Sequence, residues 1–194
     1  MIQMNDILRE GHYLLKEKSL DVVLPISIED EQTLLSMIKY LENSTDEEIA
    51  CQYGLRAAVG IAAPQIGVLK KMIVIWTFDE KGKEHFYPLV NPKLISYSDE
   101  LTYLSGGEGC LSVDREVEGY VHRPYKVRFQ AYLYENGNLV FKRFQLKGYL
   151  AIVFQHEYDH LNGILFTERI NQENPFFIPE NSKPVIFPKA EENQ

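Results

Sequence analysis

The chain has 194 residues, of which 45% are hydrophobic, 25% charged and 12% aromatic, values that exclude a disordered or fibrous protein and fit a single cored domain spanning residues 1–194. A net charge of −8 argues against a nucleic-acid binder that works by covering phosphates, since no direct nucleic-acid binding is expected without clustered Lys and Arg, although a local basic patch stays open. Two cysteines give no disulfide framework, the N-terminus lacks the basic start and apolar run of a secretory signal, and no segment reaches the roughly 18 consecutive apolar residues of a membrane span, so a reducing, cytoplasmic setting is expected with no membrane contact.

The first element is a helix over 27–43, where Ser27 precedes acidic Asp30 by three places and Leu34, Met37, Ile38 and Leu41 recur at helical spacing. The polar stretch 44–52 reads as a surface connection or a short extra turn. KMIVIWTF, EHFYPLV and KLISYS are rich in β-branched and aromatic residues and read as successive strands around the turn DEKGK. VRFQAYLY and NLVFKRF flank Glu135-Asn136-Gly137, and Asn-Gly supplies the positive φ angles of a tight antiparallel hairpin. A helix begins near Gly148 and ends by Gly163, and the tail from Asn171, with its four prolines, reads as extended. Strands followed by a late helix predict an α+β fold.

The late helix carries QHEYDHLNG. Positions i and i+4 lie only about 40° apart on a helix, so His156 and His160 can share one cation. Glu157 and Asp159 lie about 80° to either side of the midpoint, and the wheel does not choose between them as proton acceptor. The longer arm of Glu157 and its place in the pattern His-Glu-x-x-His favour it, leaving Asp159 a structural part. Two ordinary hydrogen-bonded histidines are the plain alternative. A zinc protease of the longer pattern would need a histidine at 166, where the chain has Phe166, and Glu168 lies too near in sequence to fold back.

A third ligand is sought upstream. In SGGEGCLSV, three glycines surround Cys110, and a cysteine with two histidines suits Zn²⁺ or Fe²⁺ while leaving a fourth position open, as in catalytic sites. Taken alone, Cys110 reads equally as a buried apolar residue in a glycine-rich turn. Cys51 lacks such small neighbours. In Val59-Gly60-Ile61-Ala62-Ala63-Pro64-Gln65, small residues alternate with branched ones, which fits either a tightly packed core strand or an edge on which an extended peptide pairs, with Gln65 presenting an amide at its end.

GIAAPQ, EGCLS and QHEYDHLNG, in this order and spacing, resemble the motifs of the peptide deformylase family, and the long segment before Gly60 is similar to the type II, Gram-positive-like subclass. The resemblance implies antiparallel β-sheets packed around a central metal-binding helix. It implies a hydrolase that removes the N-formyl group from the N-terminal formylmethionine of newly synthesised proteins and releases formate. Cys110, His156 and His160 would hold one divalent metal ion, Fe²⁺ in cells with Zn²⁺ or Ni²⁺ in purified protein. Glu157 would take a proton from water and pass it to the departing amine, while the Gln65 side-chain amide and the Leu111 backbone N–H donate to the oxyanion. Val59, Gly60 and Gly109 would meet the substrate backbone, and Val153 with Ile152 would line an apolar pocket for methionine or pack in the core. The partners so implied are N-formylmethionyl peptides and nascent chains at the ribosome, with the enzyme a monomer. One departure is Ala58, where the family has glycine; a positive φ there would cost alanine about 1 kcal/mol. An endopeptidase and a non-catalytic metal-stabilised binding module are the competing classes.

Overall fold

The computed structural model describes residues 1–187. Helix α1 (Ile28–Thr45) starts where expected, with the Ser27 hydroxyl accepting from the Asp30 N–H. Residues 44–52 are more ordered than their polarity suggested. The α1 helix runs on to Thr45, and the Asp46 carboxylate then accepts from the Ile49 N–H to cap a second helix, α2 (Glu47–Tyr53), which Gly54 ends in the left-handed conformation. A local side-chain cap thus builds a helix where no apolar periodicity announced one.

Five antiparallel strands form the main sheet in the order β1 (Gly60–Ala62), β2 (Met72–Phe78), β3 (Glu84–Tyr97), β6 (Lys126–Glu135), β7 (Asn138–Lys147). The segments EHFYPLV and KLISYS are one strand, interrupted by register shifts between Val90 and Lys93 and between Leu94 and Ser96. Asn91 at the first irregularity has φ 52°, and its amide both accepts from the Val22 N–H and donates to the Val22 carbonyl, tying the N-terminal segment to the sheet. The expected hairpin is present, with Asn136 at φ 52° and Gly137 at φ 76°.

Side chains alternate across a strand, so the two faces carry different cores. Met72, Val74 and Val90 pack with Leu34, Met37 and Leu41 of α1. Ile73, Ile75, Leu89, Val127 and Phe129 pack on the opposite face with Leu150, Val153 and Phe154 of α3 (Tyr149–Leu161). A small second sheet orders β5 (Arg123–Pro124), β4 (Leu101–Tyr103) and β8 (Ser182–Pro184). Here the expectation of antiparallel pairing is corrected in part: β4 and β8 are parallel, because β8 comes from the tail, and a long connection lets it return in the same direction. The described part of the tail holds turns and the extended strand β8 and no helix; its last residues, from Pro188, lie outside the described part.

The start of α3 has no side-chain cap of its own. Glu80, from the β2–β3 turn, accepts from the Tyr149 N–H at 2.7 Å, and its carboxylate fills the space a Cβ on Gly148 (φ 59°) would need. An acid at a helix N-terminus is favourable to the dipole, so a turn distant in sequence fixes where the histidine-bearing helix begins.

Candidate metal centre and substrate cavity

The α3 helix packs with its last two turns against the loop 104–113, which brings Cys110 to His156 and His160. One ligand atom from each lies within 4.8 Å of the others, and all three residues are buried. Cys110 Sγ is 3.3 Å from His160 Nε2. A thiolate sulfur at about 2.3 Å and an imidazole nitrogen at about 2.05 Å from a tetrahedral ion are about 3.5 Å apart, so the donor set fits a divalent metal. Cys51 is exposed on α2 and Glu168 accepts from Leu165 N–H and pairs with Lys16, so neither belongs to the cluster. Phe166 stacks on His156 with ring centroids 5.8 Å apart, taking the place where another zinc-site pattern would put a ligand.

His156 Nδ1 lies 2.8 Å from Glu108 Oε2, which turns Nε2 toward the cluster. Arg123 grips both oxygens of Glu108 at 2.6 and 3.0 Å and donates to Asp159 Oδ2 at 2.8 Å; Arg169 closes the other side of Asp159. Asp159 is thus a structural anchor of the helix, as its short arm suggested. Burial pushes the Glu108 carboxyl up, but Arg123 and His156 bring it down to about 2. Burial likewise disfavours a Cys110 thiolate, yet His160 and His156 outweigh it and hold the thiol well below its usual range. For His156, burial lowers the pKa, while Cys110 and Glu108 raise it well above the ordinary imidazole value. The charges therefore sit in a buried ladder, sulfur to imidazole to carboxylate to guanidinium to carboxylate, in which each member is matched.

Beside the cluster opens a cavity of ≈ 350 Å³. Glu157, Gln65, Cys110, Leu111 and His156 line its floor, and Val59, Gly60, Gly109, Ile152 and Val153 form its walls; His160 lies behind the floor. Glu157 is 4% exposed and its Oε2 has no hydrogen-bond partner among the described residues. Burial pushes its pKa up to about 7. Gly60 packs directly under that carboxylate, since a Cβ at position 60 would come within 2.8 Å of Glu157 Cδ. Gln65 Oε1 accepts from the Ala62 N–H at 2.9 Å, which aims Nε2 at Ser112 Oγ (3.2 Å) and Cys110 Sγ (3.5 Å). Ala58 lines the same cavity with an ordinary negative φ, so its departure from glycine stores no backbone strain.

Several supporting residues carried no usable sequence signal. Arg56 donates to the carbonyls of Cys110 (3.1 Å) and Leu111 (3.4 Å) and to Asp114 (3.0 Å), clamping the turn that presents the sulfur. Arg123 is an isolated arginine with no neighbouring motif; Glu108, two residues before Cys110, was the one part of the ladder that adjacency could have flagged.

A buried Cys/His/His cluster, an unpaired acid and a concave approach on an α+β scaffold define a metal-site hydrolase. The polypeptide deformylase family profile matches residues 4–176. The chain is 54% identical over 185 residues to the peptide deformylase of Oceanobacillus iheyensis, covering 95% of this chain and 100% of that one. It is 52% identical over 185 residues to peptide deformylase 2 of Bacillus cereus, covering 95% and 99%. Among solved structures, the class I type b peptide deformylase of Acinetobacter baumannii with Met-Ala-Ser bound superposes with a TM-score of 0.66 at 29% identity, over 84% of this chain and 96% of that one. The chain belongs to the peptide deformylase family, metal-dependent hydrolases that remove the formyl group from N-terminal formylmethionine.

Proposed function

We propose that Cys110, His156 and His160 hold one divalent metal ion, Fe²⁺ in the cell with Zn²⁺ or Ni²⁺ also accepted, and that Glu157 moves the protons of deformylation. Supporting this reading above all is one observation: a sulfur and two imidazole nitrogens within 4.8 Å of one another, two of whose three residues, Cys110 and His156, line a cavity shared with a buried acid. When bound, such an ion polarises the formyl group and lowers the pKa of a water molecule toward about 7. Glu157 accepts the proton of the attacking water. As the C–N bond breaks, the same carboxyl returns that proton to the leaving nitrogen, giving formate and a free N-terminal amine. Its orphaned oxygen and dry surroundings suit both halves of that task.

The Gln65 amide and the Leu111 N–H donate to the formyl oxygen as negative charge develops there. The Ala62 N–H holds the Gln65 carbonyl oxygen and so fixes the amide beside Cys110, within the cavity lining. The β1 strand is an edge of the main sheet, with β2 on one side only, and an extended peptide adds along Val59 and Gly60 while Gly109 approaches from the opposite wall. Ile152 and Val153, one turn before His156, give the first side chain an apolar wall that suits unbranched methionine. Residues 1–194 act as one monomeric domain on nascent chains at the ribosome in the cytoplasm; no helix among the described residues is long and apolar enough to cross a membrane.

The test is formate release from formyl-Met-Ala-Ser by anaerobically purified protein, alongside metal analysis. About one ion per chain, loss of activity on chelation and recovery with Fe²⁺ are expected. Cleavage of unformylated peptides would indicate an endopeptidase, and bound metal with neither reaction would indicate a binding module.

A further inference from the structure

The main sheet is not covered evenly. On the side facing α1, Met72, Val74, Val90, Tyr132 and Tyr134 are packed by the helix, and Tyr134 OH donates to Glu31 of α1 at 2.7 Å. Beyond α1 no element among the described residues covers the same face of β3, β6 and β7. Register places Lys93 opposite Gln130, Gln130 opposite Arg143, Arg128 opposite Gln145 and Lys126 opposite Lys147. Val127 and Phe129, which alternate with these residues, point the other way into the core. Lys93, Lys126, Arg128, Arg143 and Lys147 are all exposed. None of the five forms an ion pair among the described residues, whereas Lys142, which belongs to the opposite face, pairs with Glu135. On a chain of net charge −8, one flat face thus gathers unmatched positive charge.

We propose that this bare face of β3, β6 and β7 binds the phosphate backbone of RNA. Lys126 and Lys147 stand about 5 Å apart across strands, Lys126 and Arg128 about 6.7 Å apart along β6, and Arg128 lies on diagonals of about 7–8 Å from Lys93 and Arg143, spacings that let neighbouring side chains reach successive backbone phosphates. Gln145 Oε1 accepts from Arg128 Nε at 2.9 Å, which fixes the guanidinium and leaves its two terminal nitrogens, together with the Gln145 amide N–H₂, as outward donors. Gln130 and Ser96 add hydrogen-bonding groups between the charges. Arg, Lys, Gln and Ser together are the side chains that contact phosphate and sugar. An anionic membrane is less well matched, because an interfacial site inserts a row of large apolar side chains, and here Ile95 and Phe141 protrude beside the cations from separate strands without forming one. The face lies on the opposite side of the sheet from α3 and its cavity, so binding there is independent of the catalytic reading.

The test is fluorescence anisotropy with a fluorescein-labelled single-stranded RNA of about 16 nucleotides, a length that spans the face with margin. The wild-type chain is expected to bind with a log Kd that rises with log salt at a slope near 3, as about four phosphate contacts on a single strand require. The variant K126E/R128E/R143E/K147E is expected to bind at least about tenfold more weakly. Unchanged formate release from formyl-Met-Ala-Ser shows that this variant is folded. If it loses activity, the single variants R128Q and K147Q replace it, each expected to lower the salt slope by about 0.7. Equal RNA binding by wild type and variants, or no salt-dependent binding by wild type, overturns the proposal. So does stronger association with phosphatidylserine vesicles than with RNA, or a salt-sensitive self-association by sedimentation velocity that the variant abolishes in place of RNA binding.

Discussion

Replacing Gly60 with alanine tests whether this position serves the substrate alone or the acid beneath it. The backbone at Gly60 does not have a positive φ, so alanine meets no conformational penalty and the effect is steric. The added Cβ would fall closest to Glu157 Oε1 and lie 2.8 Å from Cδ and 2.9 Å from Cγ, against 3.4 Å for an ordinary contact, so Cδ must retreat by about 0.6 Å and the carboxylate oxygen by more. Glu157 is a buried residue of α3 whose carboxylate lines the cavity, so it retreats along that side, and overpacking of this kind costs about 1–3 kcal/mol of stability. For catalysis the displacement weighs more. A misplacement approaching 1 Å costs about 10²-fold, or about 2.7 kcal/mol of transition-state stabilisation. The assay is kcat/KM for formate release from formyl-Met-Ala-Ser, with metal content and Tm measured on the same preparation. A double-mutant cycle separates the two roles: in a Glu157→Ala background, Gly60→Ala has no carboxylate to displace and should cost little further activity. Activity of folded Gly60→Ala within about threefold of wild type would refute the reasoning, given the scale expected from displacement. Strict additivity in the cycle would assign Gly60 to the substrate backbone instead.

Gln65→Leu removes a donor aimed at the developing oxyanion and should lower kcat by about 10²–10³ with metal content unchanged. It also strands the Ala62 N–H, so a stability loss of about 1–3 kcal/mol should accompany it in thermal unfolding; unchanged turnover would contradict the role. Arg123→Met takes both guanidinium bonds from buried Glu108 and one from Asp159, which should cost about 3–5 kcal/mol and lower Tm by about 6–20 °C. A shift under about 2 °C would show that the ladder reorganises freely. Asp79 bonds His85 at 2.9 Å and accepts from the Lys81 and Lys83 N–H groups, and His85 first among these lowers its pKa from 3.8 to about 2. A depressed folded-state pKa gives stability that is present above pH 3.8 and lost as pH falls toward 2, so Asp79→Asn should flatten the Tm curve in that window alone.

What the linear sequence determined rests on local periodicity and on residue chemistry. The i, i+4 rule alone places His156 and His160 side by side, Asn136-Gly137 dictates its hairpin, and Ser27 begins α1, because each depends on backbone geometry within a few residues. Cysteine chemistry likewise made Cys110 a candidate ligand. That its sulfur lies 3.3 Å from His160 is decided by packing across 50 positions of chain, which no local rule reaches. The same holds for Arg123, whose partners Glu108 and Asp159 lie on separate elements, for Glu80 capping a helix from a distant turn, and for the parallel return of β8. Gly60 shows the division most clearly: sequence marked it as a place of close approach, and only the fold reveals that the group approaching is the Glu157 carboxylate. Short-range sterics act on neighbours in the chain, whereas burial, charge pairing and cavity shape arise from neighbours in space; the first kind of information is written locally and the second exists only once the chain has folded.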